Sequence, residues 1–299
     1  MSNAIEIPNT RECFASYMGI WAILPNVMKS MLSAVRDRIM VGTAENLAAA
    51  GSGSKNGFDG TVTDDDVAIV QLNGILQKTD SKFGGATSTI RARQSIRAAA
   101  RDSRVEAILL SIDSPGGTVA GAGELARDIA AAATVKPVHA YIDDQGASAA
   151  YWAASQAQRI SANETADVGS IGVYAVLEDI TGMLEADGVK LHVVSTGSHK
   201  GLGADGSVPD ELVIEVQDRI DAINKIFKSS VSRGRNFDAK TIDDIATGKT
   251  WIAADAKKMG LVDAVQNFDA AYRDVVKVVR EKRRERRTKA DAARARLRL

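Results

Sequence analysis

The stretch Val105-Glu106-Ala107-Ile108-Leu109-Leu110-Ser111-Ile112-Asp113-Ser114-Pro115-Gly116-Gly117-Thr118 decides the reading of this chain. Ala107 to Leu110 is an unbroken apolar run, whereas a strand with one wet face alternates apolar and polar residues. A strand covered on both faces reads as continuous apolar residues, the signature of a parallel sheet inside an α/β domain. The run ends in Pro115 and two glycines, and helical spacing resumes at Gly121. A strand end followed by a helix start is where α/β sheets place their ligands.

Working outward, the same texture repeats. β-rich runs are expected at Val67–Leu72, Val105–Ile112, Val138–Ile142, Ile171–Val176 and Leu191–Ser195. Helices are expected at Thr89–Arg101, Gly121–Ala133, Ala149–Ala157 and Ile180–Ala186, and from Pro209 through Ser232. Gly188 suits a helix C-terminus, because glycine tolerates the left-handed conformation there. Alternating strands and helices predict an α/β domain with mostly parallel strands over residues 67–268.

Three other segments flank that domain. Residues 1–41 are Met-rich without strand alternation. Val27, Met28, Met31, Leu32, Val35, Ile39 and Met40 recur at helical spacing, so a docking helix is expected after Pro25. Residues 42–66 read as a linker, since Gly51-Ser52-Gly53-Ser54-Lys55-Asn56-Gly57 has no apolar side chain to bury. Residues 269–299 read as a basic helical tail that starts apolar at Val275, Val276, Val278 and Val279.

Composition narrows the function classes. The 299 residues carry 38 Lys+Arg and 38 Asp+Glu, so a globally basic nucleic-acid binder is not expected. The balance hides an asymmetry: residues 280–299 hold ten Lys/Arg against three Asp/Glu. Such a tail suits a solvated helix, an acidic partner or, less well, DNA. One cysteine, Cys13, leaves no intrachain disulfide and no multi-Cys zinc site. No cofactor and no metal are expected. The longest uncharged run, Cys13 to Met28, is too short for a membrane span and lacks the basic start of a signal peptide. A cytoplasmic protein is the expectation.

Four constellations could carry chemistry. Asp113-Ser114-Pro115-Gly116-Gly117 can turn glycine N–H groups toward a developing oxyanion, or be an ordinary tight turn. Asp144-Gln145-Gly146-Ala147-Ser148-Ala149 sets a serine between a strand and a helix, as a nucleophile elbow does, or as a helix N-cap does. Ser195-Thr196-Gly197-Ser198-His199-Lys200-Gly201 offers a lysine, which is a general base only when burial keeps it neutral; otherwise it is a surface lysine. Val168-Gly169-Ser170-Ile171-Gly172-Val173 offers a serine that could orient an amine, or a strand-entry turn.

In this order, the four motifs resemble those of the signal peptide peptidase A family of serine peptidases, and in particular its phage branch, the head maturation proteases. The resemblance covers roughly residues 65–265, and Trp21-Ala22-Ile23-Leu24-Pro25 also looks like the leader of the phage proteins. It implies a Clp/crotonase-type fold and a Ser–Lys dyad. It places the nucleophile at Ser148, the general base at Lys200 and a lysine-orienting role at Ser170. It implies an oxyanion hole from the N–H groups of Gly116 or Gly117 and of Ala149. The family usually has glycines where this chain has Ala149 and Ala150. His139, His192 and His199 lie outside Gly169–Val173, where the histidine of a Clp-type triad would fall, which favours Ser–Lys. His139 reads as a buried or edge residue. The implied partners are protein or peptide substrates, namely phage head proteins (capsid, portal, scaffold), and further copies of the chain in a ring. The rival readings are a non-enzymatic assembly protein on a protease fold and a host enzyme that degrades signal-peptide remnants.

Overall fold

The computed structural model describes residues 20–29, 62–79 and 86–296. Its centre is a seven-stranded sheet. β2 (Val67–Asn73), β5 (Ala107–Ser114) and β7 (Val138–Ala147) run parallel side by side, with β9 (Asp167–Gly169) parallel along the last three residues of β7 and β11 (Thr250–Ile252) antiparallel at the edge. β8 (Arg159–Ala162) also pairs with β7, and β12 (Ala264–Val265) pairs with β8, both parallel. The chain is a mixed α/β protein with a mostly parallel sheet, as the apolar runs require.

Both faces of that sheet are covered, which explains Ala107–Leu110. Ala68, Val70, Ile108, Leu110 and Ile112 point to one side. There they meet α1 (Thr89–Arg101), α2 (Ala122–Val135) and α3 (Ala149–Ala154) in the main core. Val67, Ala107, Leu109 and Tyr141 point to the other side, against Ala271, Val275, Val276 and Val279 of α8 (Phe268–Arg296). A period-2 strand thus shows no alternation, because each of its faces meets a helix layer.

Local chemistry sets the helix ends. Ser88 caps α1 by accepting from the Arg91 amide at 3.4 Å. α4 (Thr181–Ala186) ends as expected at Gly188, whose φ is +69°. The Gly188 amide reaches Glu185 O at 3.0 Å and the Val189 amide reaches Leu184 O at 2.8 Å, the paired bonds of a Schellman turn. α5 (Asp210–Arg235) follows Pro209 and stops at Asn236, which is left-handed at φ +55°. α6 (Ala239–Ile245) is capped by Asp238, which accepts from the Thr241 amide at 2.6 Å, and α7 (Ala253–Lys258) follows β11.

A second, five-stranded sheet has the order β10, β1, β6, β3, β4. It is built from β1 (Ile20–Ile23), β3 (Ile75–Gln77), β4 (Ala86–Ser88), β6 (Gly116–Thr118) and β10 (Tyr174–Ala175). Most of it was not expected.

Three expectations are corrected here. Residues 20–23 form a strand within the segment read as lacking strand character; residues 25–29 are helical, and the remainder of the expected docking helix lies outside the described residues. The expected strand Ile171–Val176 shrinks to Tyr174–Ala175. Leu191–Ser195 is no strand: among the described residues it has no ladder partner, and it is exposed along its length, with Val194 at 97%. An apolar β-branched run signals burial, but here none of the described residues buries it. Residues 42–61 of the expected linker lie outside the described residues; residues 62–66 turn into β2, with Val62 bridging to Ala68.

The basic helix α8 is long, as expected, and three of its arginines pair with carboxylates elsewhere in the chain. Arg280 pairs with Asp65 at 3.3 Å, Arg283 with Asp66, and Arg286 with Glu106 at 2.8 Å. Among the described residues, no helix is long and apolar enough to cross a membrane.

Candidate active site

Three of the four motifs converge at the carboxyl ends of neighbouring strands. β5 ends at Ser114, β7 at Ala147 and β9 at Gly169, with Ser114 registered against Gly146 and Ala147 against Gly169. The register follows from parallel pairing, and it carries Ser148 and Ser170 into adjacent positions just past the ladder.

Ser148 occupies the turn between β7 and α3 with φ +55° and ψ −120°. A residue with a Cβ is strained there, by roughly 1–3 kcal/mol, and such strain persists only where the surroundings hold it. The hold is visible: the Ser148 amide donates to Gly169 O at 2.7 Å, and its carbonyl accepts from the Trp152 amide at 2.9 Å. The side chain makes no capping bond to its own helix. Its hydroxyl is therefore not spent as an N-cap, the competing reading of the motif. Ala149, the first helical residue, has no intrahelical acceptor for its N–H.

Gly116 and Gly117 lie against this turn for different reasons. A Cβ on Gly116, at φ +99°, would sit 2.3 Å from Ala22 O and 2.9 Å from Ser148 Cβ. A Cβ on Gly117 would sit 1.8 Å from Leu76 O, where β6 pairs in parallel with β3. Both glycines are required by close approach, Gly116 to the serine itself. The Gly116 amide donates to Ser114 Oγ at 3.2 Å, and Ser114 Oγ donates to Gly74 O at 2.6 Å. Ser114 was missed as a candidate; its signal was only its place inside the glycine motif.

Ser170 is buried beside Ser148, also left-handed at φ +50°, and its amide donates to Lys249 O at 2.7 Å. Behind it, the ring of Trp251 stands 2.8 Å from where a Gly169 Cβ would be. Trp251 gave no sequence signal, because its role depends on β11 crossing to β9. At the outer rim, burial pushes the Asp113 carboxyl up, with Asp144 and Asp143 adding repulsion.

The fourth motif does not join the others in the single chain. Lys200 is exposed, in the turn after Gly197, whose carbonyl takes its amide at 3.3 Å. Among the described residues, no hydrogen bond links Lys200 to Ser148 or Ser170. His199 lies 3.5 Å from Glu215, and His192 is exposed. His139 is buried in β7, as expected. Desolvation, and then Arg159, holds its imidazole down at about 4.

The sequence matches the model of peptidase family S49 over residues 130–281, and the chain belongs to that family. It is 32% identical over 209 residues to Protease 4 of Salmonella typhi, covering 69% of this chain and 33% of that protein. It is 32% identical over 219 residues to the capsid assembly protease C of Escherichia phage lambda, covering 72% of this chain and 49% of that protein. The chain thus spans about a third to a half of the length of these curated relatives. Among solved structures it is similar to the ClpP protease catalytic domain of Plasmodium falciparum, with a TM-score of 0.42, 12% identity, and coverage of 68% of this chain and 85% of that one.

Proposed function

We propose that this chain is a serine endopeptidase that cuts phage or prophage head proteins during assembly, with Ser148 as nucleophile and Lys200 as general base. The observation that carries it is the strained, uncapped Ser148 at the convergence of three glycine-bearing strand ends. Membership of a peptidase family and the similarity to a phage capsid assembly protease supply the class of reaction and substrate.

The chemistry is an acyl transfer. Ser148 Oγ bonds to the scissile carbonyl carbon while its proton passes to neutral Lys200 Nζ. The oxyanion is held by N–H groups of Gly117 and Ala149, and of Gly116 if it exchanges its bond to Ser114. Collapse breaks the C–N bond, and the leaving amine takes the proton from Lys200. Water then bonds to the acyl carbon as its proton passes to Lys200 Nζ, and the acid is released as Lys200 returns that proton to Ser148 Oγ. Ser170 holds the amine toward Ser148.

Lys200 reaches the serine only if the segment around it is repositioned. Val176, Leu177, Met183, Val189, Leu191, Val193 and Val194 are all exposed on that segment. Large apolar side chains exposed together on one segment in this way suit a surface that another chain covers. We propose that neighbouring copies in an oligomer cover it and seat Lys200. The chain works in the host cytoplasm, inside or beside the assembling head. The ion pairs of Arg280, Arg283 and Arg286 with this chain's own carboxylates favour a structural role for α8 over DNA contact.

The test is terminus mapping of co-expressed head proteins with wild type, Ser148→Ala and Lys200→Ala. Defined new termini lost in both variants support the peptidase. Unaltered processing in both variants overturns it. Head proteins that co-purify uncut with all three forms point instead to an assembly role.

A further inference from the structure

The strand β1 lies where a substrate strand would have to lie. β6 leaves the site directly after Pro115, and β10 follows the Gly169–Val173 segment. β1 fills the space between them and is antiparallel to both. Trp21, Ala22 and Ile23 register with Thr118, Gly117 and Gly116, while Ile20 and Trp21 register with Ala175 and Tyr174. Two further bonds extend the ladder, from Val119 N to Ile20 O at 3.3 Å and from Leu24 N to Pro115 O at 3.0 Å.

Three observations make this an occupied peptide site rather than a sheet edge. One point behind Gly116 lies 2.3 Å from Ala22 O and 2.9 Å from Ser148 Cβ, so β1 crosses the turn that carries the nucleophile. Ser148 is 1% exposed and Ala22 fully buried, so the serine is sealed with β1 in place. The side chains alternate as a bound strand's do. Ala22 enters the main core, while Trp21 and Ile23 form a separate apolar cluster with Met28 that Val27, Ile75 and Tyr174 flank. Extended peptides are recognised in this way, by main-chain ladders for affinity and pockets for alternate side chains.

We infer that Ile20–Leu24 is a tethered occupant of the peptide-binding cleft, and that it must leave before a substrate strand can pair with β6 and β10 beside Ser148. The inference rests on the peptidase reading. Because the strand is covalently attached, it competes as an intramolecular ligand against any free peptide.

The test uses the full-length chain with Ile20→Cys and Ala175→Cys in a Cys13→Ser background. Directly opposed antiparallel residues lie roughly 4.5–5.5 Å apart at Cα, within the span of a disulfide. Oxidation then locks β1 in the cleft, and reduction frees it without altering the fold. A fluorophosphonate probe reads access, since Ser148 Oγ bonds to phosphorus as fluoride leaves with the proton. The reduced form should label at least tenfold faster than the oxidised form, and Trp21→Ser with Ile23→Ser at least tenfold faster than wild type. Equal rates in the oxidised and reduced forms overturn the inference and leave the peptidase standing. Absence of an adduct in every form counts against the peptidase instead. The strand is then decided by a fluorescein-labelled peptide of residues 17–27, added to the disulfide protein carrying Ser148→Ala. Binding to the reduced form alone supports the tethered occupant, and equal binding or none overturns it.

Discussion

The Ser148 amide donates to the Gly169 carbonyl at 2.7 Å, which ties the turn carrying the proposed nucleophile to the residue just before Ser170. This one bond joins two sequence motifs across neighbouring strands. It also fixes Ser148 at φ +55°, a conformation that its own Cβ opposes.

Removing that Cβ should therefore stabilise the fold while ending the chemistry. Ser148→Gly should raise stability by about 1 kcal/mol, since the strain disappears and only part is returned as glycine's entropy. Ser148→Ala should leave stability nearly unchanged. Both should lower peptide cleavage by at least about a thousandfold. Thermal unfolding and a peptide assay on the same samples check the pair.

Gly116→Ala should fail on both counts. Its methyl group would meet Ala22 O at 2.3 Å and Ser148 Cβ at 2.9 Å, on a backbone at φ +99°. A loss of stability on the order of 3 kcal/mol is expected. Activity should not return even in the material that stays folded. Denaturant titration beside an activity assay measures both.

His139 should make stability depend on pH. Burial holds its imidazole down at about 4, against about 6.5 for the free side chain. The unfolded chain therefore binds the extra proton across that interval. Stability from this group is complete above about pH 6.5 and is lost as pH falls toward 4, by up to roughly 3 kcal/mol. His139→Gln should flatten that part of the curve in denaturant titrations at stepped pH. An unchanged slope would contradict the assignment.

Val275 of α8 is fully buried against Val67, Leu109 and Tyr141. Val275→Ala should cost roughly 2 kcal/mol through lost burial and a residual cavity. Arg286→Ala should cost under about 1 kcal/mol, because its pair with Glu106 is solvent-facing on the arginine side. Urea midpoints of the two variants provide the comparison.

The legible parts of the fold were those whose cause is local. Ala107–Leu110 announced a doubly covered strand because both faces meet helices. Ser148 announced itself because a small residue, a serine and a helix start follow one strand. β1 was not legible: its four residues are held by β6 and β10, whose short pairings have no pattern of their own. Trp251 stayed silent because only the crossing of β11 brings it to Gly169. Leu191–Ser195 misled for the opposite reason. Its apolar residues do call for burial, but they stay exposed among the described residues. Lys200 follows that segment and is exposed like it.

The most direct measurement is peptide mapping of a fluorophosphonate-treated full-length chain after prolonged exposure, beside Lys200→Ala. The account predicts one adduct, on the peptide containing Ser148, formed at least a hundredfold more slowly in Lys200→Ala. An adduct on another serine, or none under any condition, would contradict it.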